Sequence, residues 1–332
     1  MNDTAPKDPT PMPDELPVLP DIPCPFPTTF GAHPHPHADA AENDVLALLE
    51  NIDAPAQLKQ RLADIGLGPL TGQLYPGTTR QGLRLAMLYY AQFCLHEDWI
   101  IRQDPATLTH AYDRVLAVFD GEPTNPADSP LTRLTSHLAR HLHAFRLPEH
   151  TVRFRTALSD YLGAHLWEAD LQLHRRTPAL AEYRHLRPVV LGVRPLHELY
   201  PLIHLQPVPT HLLGHPVVEA LGAMMVNFHV LANDMHSLAK ELRAEKHPLN
   251  TVLVLRAEKG LTLQQGVDAT ARAAAKELDA YQQLKAALPR LGLNHPALTA
   301  HLANMERLAA DTVAWHLATP RYQATPHGRA DA

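Results

Sequence analysis

Leu221-Gly-Ala-Met-Met-Val-Asn-Phe-His-Val-Leu231 leads, through Ala232, into Asn233-Asp-Met-His-Ser-Leu-Ala-Lys-Glu241. The first part is apolar apart from Asn227 and His229, the pattern of a helix buried on all sides. In the second part Asn233, Ser237 and Glu241 are spaced i, i+4, i+8, so on a helix they stack turn upon turn along one edge. An amide oxygen, a hydroxyl and a carboxylate in line make an all-oxygen set suited to a hard cation such as Mg2+. Lys240 shares the edge and adds a positive charge. A polar stripe on a surface helix has the same spacing. The apolar flank argues instead for polar groups at the mouth of a buried cavity, one fit to receive a phosphate-bearing substrate.

The rest of the chain reads as helix. Candidate segments are 40–51, 55–65, 79–103, 105–119, 130–146, 148–175, 178–187, 195–204, 215–246, 261–287 and 295–318, punctuated by Pro105, Gly121, Pro148, Pro178, Pro188, Gly214, Pro248, Gly260 and Pro296. No alternating strand pattern is present, and Val252-Leu-Val-Leu255 is read as a helical turn or loop between helices. The expected fold is all-α: a single-domain bundle of about ten or more helices around a central apolar cavity. Residues 1–18 form a proline-rich, disordered tail, 19–40 an extended strap across the core, 41–323 the helical domain and 324–332 a disordered tail.

The chain has 332 residues, 45% of them hydrophobic, and a net charge of −6, so it holds a large core and lacks the basic balance of a nucleic-acid binder. Only Cys24 and Cys94 are present, and no secretory leader pattern opens the sequence, which points to a reducing cytoplasm. No apolar run is long enough for a membrane span. The run His33-Pro-His-Pro-His37 has metal-binding residue types, but its prolines favour an extended chain that splays the rings apart. The remaining histidines, among 23, read as surface or half-buried polar residues.

A second acidic edge lies in Leu88-Tyr-Tyr-Ala-Gln-Phe-Cys-Leu-His-Glu-Asp-Trp-Ile-Ile101, where Glu97 and Asp98 end an apolar run. Adjacent acids late in a buried helix are costly unless paired or bound to metal. Together with Cys24-Pro-Phe-Pro27, Glu182-Tyr183, the Asn233–Glu241 element and Trp315-His-Leu-Ala-Thr-Pro-Arg-Tyr322, this pair makes the chain resemble the bacterial class I terpene synthases (terpene cyclases) nearly end to end. The resemblance implies Mg2+, three ions in the family, held by Asn233, Ser237 and Glu241 on one side and by Glu97 and Asp98 on the other. It also implies a diphosphate sensor at Arg187, 46 residues before Asn233, a basic partner at Lys240, and an Arg321–Tyr322 pair closing the site. Arg184 and Arg194 are alternative sensors, and Pro188 is expected to break the helix beside Arg187.

The family pattern departs at two places: Glu97 stands where the first Asp is usual, and Ile101 replaces the third acid. The implied activity is ionisation and cyclisation of an allylic prenyl diphosphate, chiefly farnesyl diphosphate. It requires a dry cavity, for which Phe93, Trp99, Phe228 and Trp315 are the aromatic candidates and aliphatic side chains the bulk of the wall. A homodimer is in keeping with the family. Two other readings remain open at this point: a degenerate relative that binds prenyl diphosphate or releases linear products, and a helical interaction module in which these residues do not converge.

Overall fold

The computed structural model describes residues 16–22, 24–31, 34–100, 103–244, 249–319 and 322, with the side chains of 98–100 and 244 outside that description. The described residues form helices α1 (Ala38–Asn51), α2 (Ala56–Ile65), α3 (Leu67–Leu74), α4 (Arg80–Ile100), α5 (Pro105–Phe119), α6 (Pro130–Ala144), α7 (Pro148–Leu173), α8 (Leu180–Val190), α9 (Val193–Ile203), α10 (Thr210–Leu213), α11 (Pro216–Ala244), α12 (Thr251–Lys259), α13 (Leu263–Ala287) and α14 (Pro296–Ala318), and contain no strand. The buried central helices α4 and α11 face each other across the cavity. α4 packs on α1, α6 and α9, and α11 on α13 and α14.

Local chemistry sets the helix ends. Asp104 caps α5, accepting from the backbone N–H of Ala106 and Thr107 at 3.0 Å each, with Pro105 in the first turn. Thr262 and Gln265 form a reciprocal capping box at the start of α13. α3 is absent from the sequence reading because Gly68, Pro69 and Gly72 all argue against helix. The glycine serves close approach: a Cβ on Gly72 would lie 2.8 Å from the Cβ of His35. α12 is a nine-residue helix where a turn was expected; Asn250 caps it, accepting from Val252 N–H at 2.9 Å.

Pro188 does not break α8, which continues to Val190. The chain instead turns at Gly192, whose φ of 74° is cheap only for glycine. α1 starts at Ala38, two residues before the expected helix start at 40, and the extended segment leads into it. Asp311 of α14 gathers that segment, accepting Thr28 Oγ1 at 2.6 Å and the Thr29 and Phe30 amides at 2.8 and 3.1 Å. The described part of the histidine run, 34–37, turns rather than extends, with the His35 and His37 rings 5.7 Å apart. His35 Nε2 donates to the Thr78 carbonyl and Nδ1 accepts from His37 N–H, so neither nitrogen is left for a metal. His33 lies outside the described residues. Other histidines are more deeply placed than their polarity led one to expect: His96, His165, His197, His229 and His301 are all buried. Among the described residues no helix is long and apolar enough to cross a membrane.

Candidate active site

A cavity of about 1050 Å³ opens between α4, α7, α8, α11 and α14. Glu97, Arg187, Asn233, Ser237, Lys240, Glu241 and Tyr322 all line it, together with the aromatic candidates Phe93 and Trp315. A module whose polar residues do not converge is therefore ruled out. The side chains of Asp98 and Trp99, and the whole of Arg321, lie outside what the structure describes. Phe228 is a correction: it is fully buried in the core and does not reach the cavity. The reason is helical phase. The edge that carries Asn233 continues one turn back to His229, and the residue beside it faces another way. His229 is on the wall, and Tyr89 and Tyr90 of α4 add aromatic surface to a lining that is otherwise largely aliphatic.

On the α11 side, Asn233 Nδ2 donates to Tyr322 Oη at 3.3 Å, and its Oδ1 accepts from Arg187 Nη2 at 3.2 Å. Tyr322 stacks edge-on to Trp315, with centroids 5.7 Å apart, so the end of the described chain folds over the motif. Ser237 Oγ is buried one turn before Glu241, and its hydrogen-bonding interaction with that carboxylate pulls the carboxyl down. Glu241 accepts from Asn250 Nδ2 at 2.9 Å. Burial, and then the charge of Asp234, raise the Glu241 carboxyl above its ordinary value.

A buried hydroxyl and a carboxylate strained toward protonation, on one helix edge with an amide oxygen, are an all-oxygen set that fits a hard divalent cation. Among the described residues no three acidic, histidine or cysteine side chains meet closely enough to hold a metal.

Asp234, inside the same motif, has a different task. It is wholly buried and accepts Tyr183 Oη at 2.7 Å, Thr251 Oγ1 at 2.7 Å, Thr251 N–H at 2.9 Å and Arg187 Nη2 at 2.8 Å. It ties α8, α11 and α12 together and aims the guanidinium. Burial alone would lower Arg187, but Asp234 beside it carries it well above its ordinary value, so it is a permanent cation.

On the α4 side, Arg61 of α2 forms an ion pair with Glu97 and also lines the cavity. Nothing in the sequence marks Arg61, because it lies on a separate helix 36 residues before Glu97. His96 bridges Tyr161 Oη at 2.8 Å and Tyr112 Oη at 2.9 Å, fixing α4 to α7 and α5. Tyr89 Oη donates to the Gly192 carbonyl at 2.7 Å, so α4 also grips the bend between α8 and α9.

A profile of terpene synthase family 2, C-terminal metal binding, matches residues 91–280. The chain is 25% identical over 304 residues to (+)-eremophilene synthase of Sorangium cellulosum, covering 90% of this chain and 92% of that one. It is 25% identical over 272 residues to pentalenene synthase of Streptomyces exfoliatus, covering 78% and 80%. It is 23% identical over 310 residues to a farnesyl-diphosphate-cyclising 4-epi-cubebol synthase of Streptosporangium roseum, covering 92% of each. Its fold matches the SVS_A2 protein from ancestral sequence reconstruction, with a TM-score of 0.79 at 20% identity over 91% of this chain and 90% of the other. It also matches hedycaryol synthase, with a TM-score of 0.77 at 21% identity over 92% and 100%. Metal-binding chemistry, helical architecture and the convergence of these side chains on one cavity lead to a single assignment: the chain belongs to the bacterial class I terpene synthases.

Proposed function

We propose that the protein ionises farnesyl diphosphate with the help of Mg2+ and cyclises the resulting carbocation, releasing diphosphate. One observation carries this reading: the oxygen edge of α11, Arg187 and Glu97 open onto the same largely apolar cavity. Asn233, Ser237 and Glu241 would hold Mg2+ on one side, with Glu97 and Asp98 on the other and three ions in all, as in the family. When bound, the metal supplies charge neutralisation for the departing diphosphate. Arg187, already charged and aimed by Asp234, donates to phosphate oxygens, and Lys240 and Arg321 add positive charge from the motif and the C-terminal segment. Tyr322, hydrogen-bonded to Asn233, steadies the edge.

The carbocation then meets Phe93, Trp315 and the two tyrosines of α4, where each well-placed ring face stabilises a desolvated cation by about 2 kcal/mol. Farnesyl diphosphate is favoured over shorter and longer chains because the 4-epi-cubebol and 7-epi-alpha-eudesmol synthases among the relatives carry farnesyl diphosphate in their names. A homodimer in the cytoplasm completes the reading on family grounds.

The test is incubation with Mg2+ and geranyl, farnesyl or geranylgeranyl diphosphate, followed by gas chromatography–mass spectrometry of the extract. Cyclic sesquiterpene from farnesyl diphosphate is expected. Linear alcohol alone would assign ionisation without cyclisation, and unchanged substrate at all three lengths would overturn the proposal.

A further inference from the structure

A run of polar side chains leads from the cavity wall into the core, and ionisation makes no use of it. His197, Tyr200 and His204 follow one another at spacings of three and four along one face of α9 and its C-terminal cap. α9 packs on α11 and α14, which carry His229 and His301. The His229 ring, on the cavity wall, lies 6.2 Å from that of His197. His197 stacks on Tyr200 at 5.8 Å, and Tyr200 meets His301 at 5.9 Å and His204 at 6.1 Å.

The group is buried, yet its polar edges are unpaired. His197, Tyr200, His229 and His301 are 6%, 1%, 3% and 8% exposed. Nε2 of His197, His204 and His229, Nδ1 of His301, Oη of Tyr200, and Nε and Nη2 of Arg307 have no hydrogen-bond partner among the described residues. The charge of Arg307 acts on both Tyr200 and His204, which puts its guanidinium beside them. Burial presses the four imidazoles well below their ordinary value, so each is neutral, with one N–H and one bare nitrogen.

Each buried polar atom left unpaired costs about 1–3 kcal/mol. Among the described residues no three histidine, cysteine or acidic side chains meet closely enough to hold a metal, and an apolar ligand would leave these edges unpaired. The ligand that suits them is small, neutral and both donor and acceptor, and an internal water takes about three such partners.

We propose that this cluster holds water behind the cavity wall and delivers it past His229 to the carbocation, so that the protein makes a cyclic terpene alcohol. This rests on the reading of the protein as a farnesyl diphosphate cyclase. The water oxygen gives a lone pair to the cationic carbon and forms the C–O bond. The proton of the resulting oxonium passes to His229 Nε2, since Nδ1 is engaged with the Met225 carbonyl, and leaves when the site reopens to solvent. Nothing is oxidised or reduced: farnesyl diphosphate and one water give a cyclic isomer of farnesol and diphosphate. His229 stands one turn before Asn233, on the side away from Glu241, so the water enters apart from the leaving group.

The test is incubation with Mg2+ and farnesyl diphosphate in water enriched in 18O, followed by gas chromatography–mass spectrometry of the extract. A cyclic alcohol carrying 18O is expected as the main product. Hydrocarbon alone, or an alcohol without the label, would overturn the proposal. Tyr200→Phe, which removes one oxygen and keeps the ring, is expected to lower the ratio of labelled alcohol to hydrocarbon at least ~5-fold, the scale of one lost hydrogen bond. An unchanged ratio would also overturn it, because the water would then come from elsewhere. Should Tyr200→Phe lack a native melt, His204→Phe takes its place, with the same fall expected and an unchanged ratio decisive against. Protein that leaves farnesyl diphosphate unconsumed would instead defeat the parent reading.

Discussion

Arg187 and Asp234 form a buried ion pair, Nη2 to Oδ1 at 2.8 Å, in which the arginine side chain is 13% exposed and the aspartate not at all. The pair joins α8 to the motif helix α11, and Asp234 extends the link to α12 through Thr251. Two neighbours in the motif therefore divide the work. Asn233 faces the cavity, while Asp234 faces the protein and holds the guanidinium at its post.

Asp234→Ala is expected to destabilise the protein by about 3–5 kcal/mol, because it leaves a buried guanidinium unpaired and strips the acceptor from Tyr183 and Thr251. Asn233→Ala is expected to leave the unfolding midpoint near wild type. Urea unfolding of the two variants side by side checks this, and equal midpoints would remove the division of labour.

Glu241→Ala is expected to lower turnover at least ~100-fold, equivalent to about 2.7 kcal/mol of transition-state stabilisation, with the fold retained. The carboxylate is strained by burial, so removing it relieves cost in the folded state while taking the charge that a cation needs. Diphosphate release and a thermal melt, measured on the same preparation, separate the two effects. A variant that turns over near the wild-type rate would end the metal assignment for this edge.

Acid should loosen the fold before its carboxylates are reached. His229 and His301 are buried, and burial presses both imidazoles down to about 4 from an ordinary 6.5. The unfolded chain thus binds more protons than the native one between those values. Stability is full above pH 6.5 and lost as the pH falls toward about 4, by ~1.4 kcal/mol per pH unit for each group at the steepest part. His96 and His197 shift in the same direction. Carboxylates act lower: Arg176 holds Glu182 down to about 2. Urea midpoints taken from pH 7.5 to 4.5 are expected to fall below pH 6.5, and a level profile would contradict the burial of these rings in solution.

The parts of the site legible in the sequence are those a single helix carries. Asn233, Ser237 and Glu241 share an edge because their spacing matches the helical repeat, and the apolar flank of α11 foretells a cavity beside them. Arg61 was not legible, since it reaches the wall from a helix whose register depends on tertiary packing. Asp234 was passed over because its side chain leaves the edge by a fraction of a turn, and that fraction decides between cavity and core. The same phase argument misplaced Phe228. For α3 the glycines and proline argue against helix locally, and only the close approach of His35 and α1 shows why small residues stand there.

His229 is the residue that the phase correction brings to the wall, and its tautomer can be read from its partner. Nδ1 lies 2.8 Å from the Met225 carbonyl, which only accepts, so Nδ1 carries the hydrogen and Nε2 is left as an acceptor. Nε2 has no hydrogen-bond partner among the described residues. A neutral imidazole one turn from Asn233 thus puts a polar, basic atom beside a wall that is otherwise largely apolar. Such an atom biases where a carbocation rests or loses its proton, without touching the leaving group. His229→Leu, close in bulk and without the nitrogens, is therefore expected to change the ratio of products while diphosphate release stays near the wild-type rate. Parallel phosphate-release and gas-chromatographic measurements decide it. An unchanged product pattern would show that the ring stands behind the reacting surface, and a collapse of diphosphate release would tie it to ionisation instead.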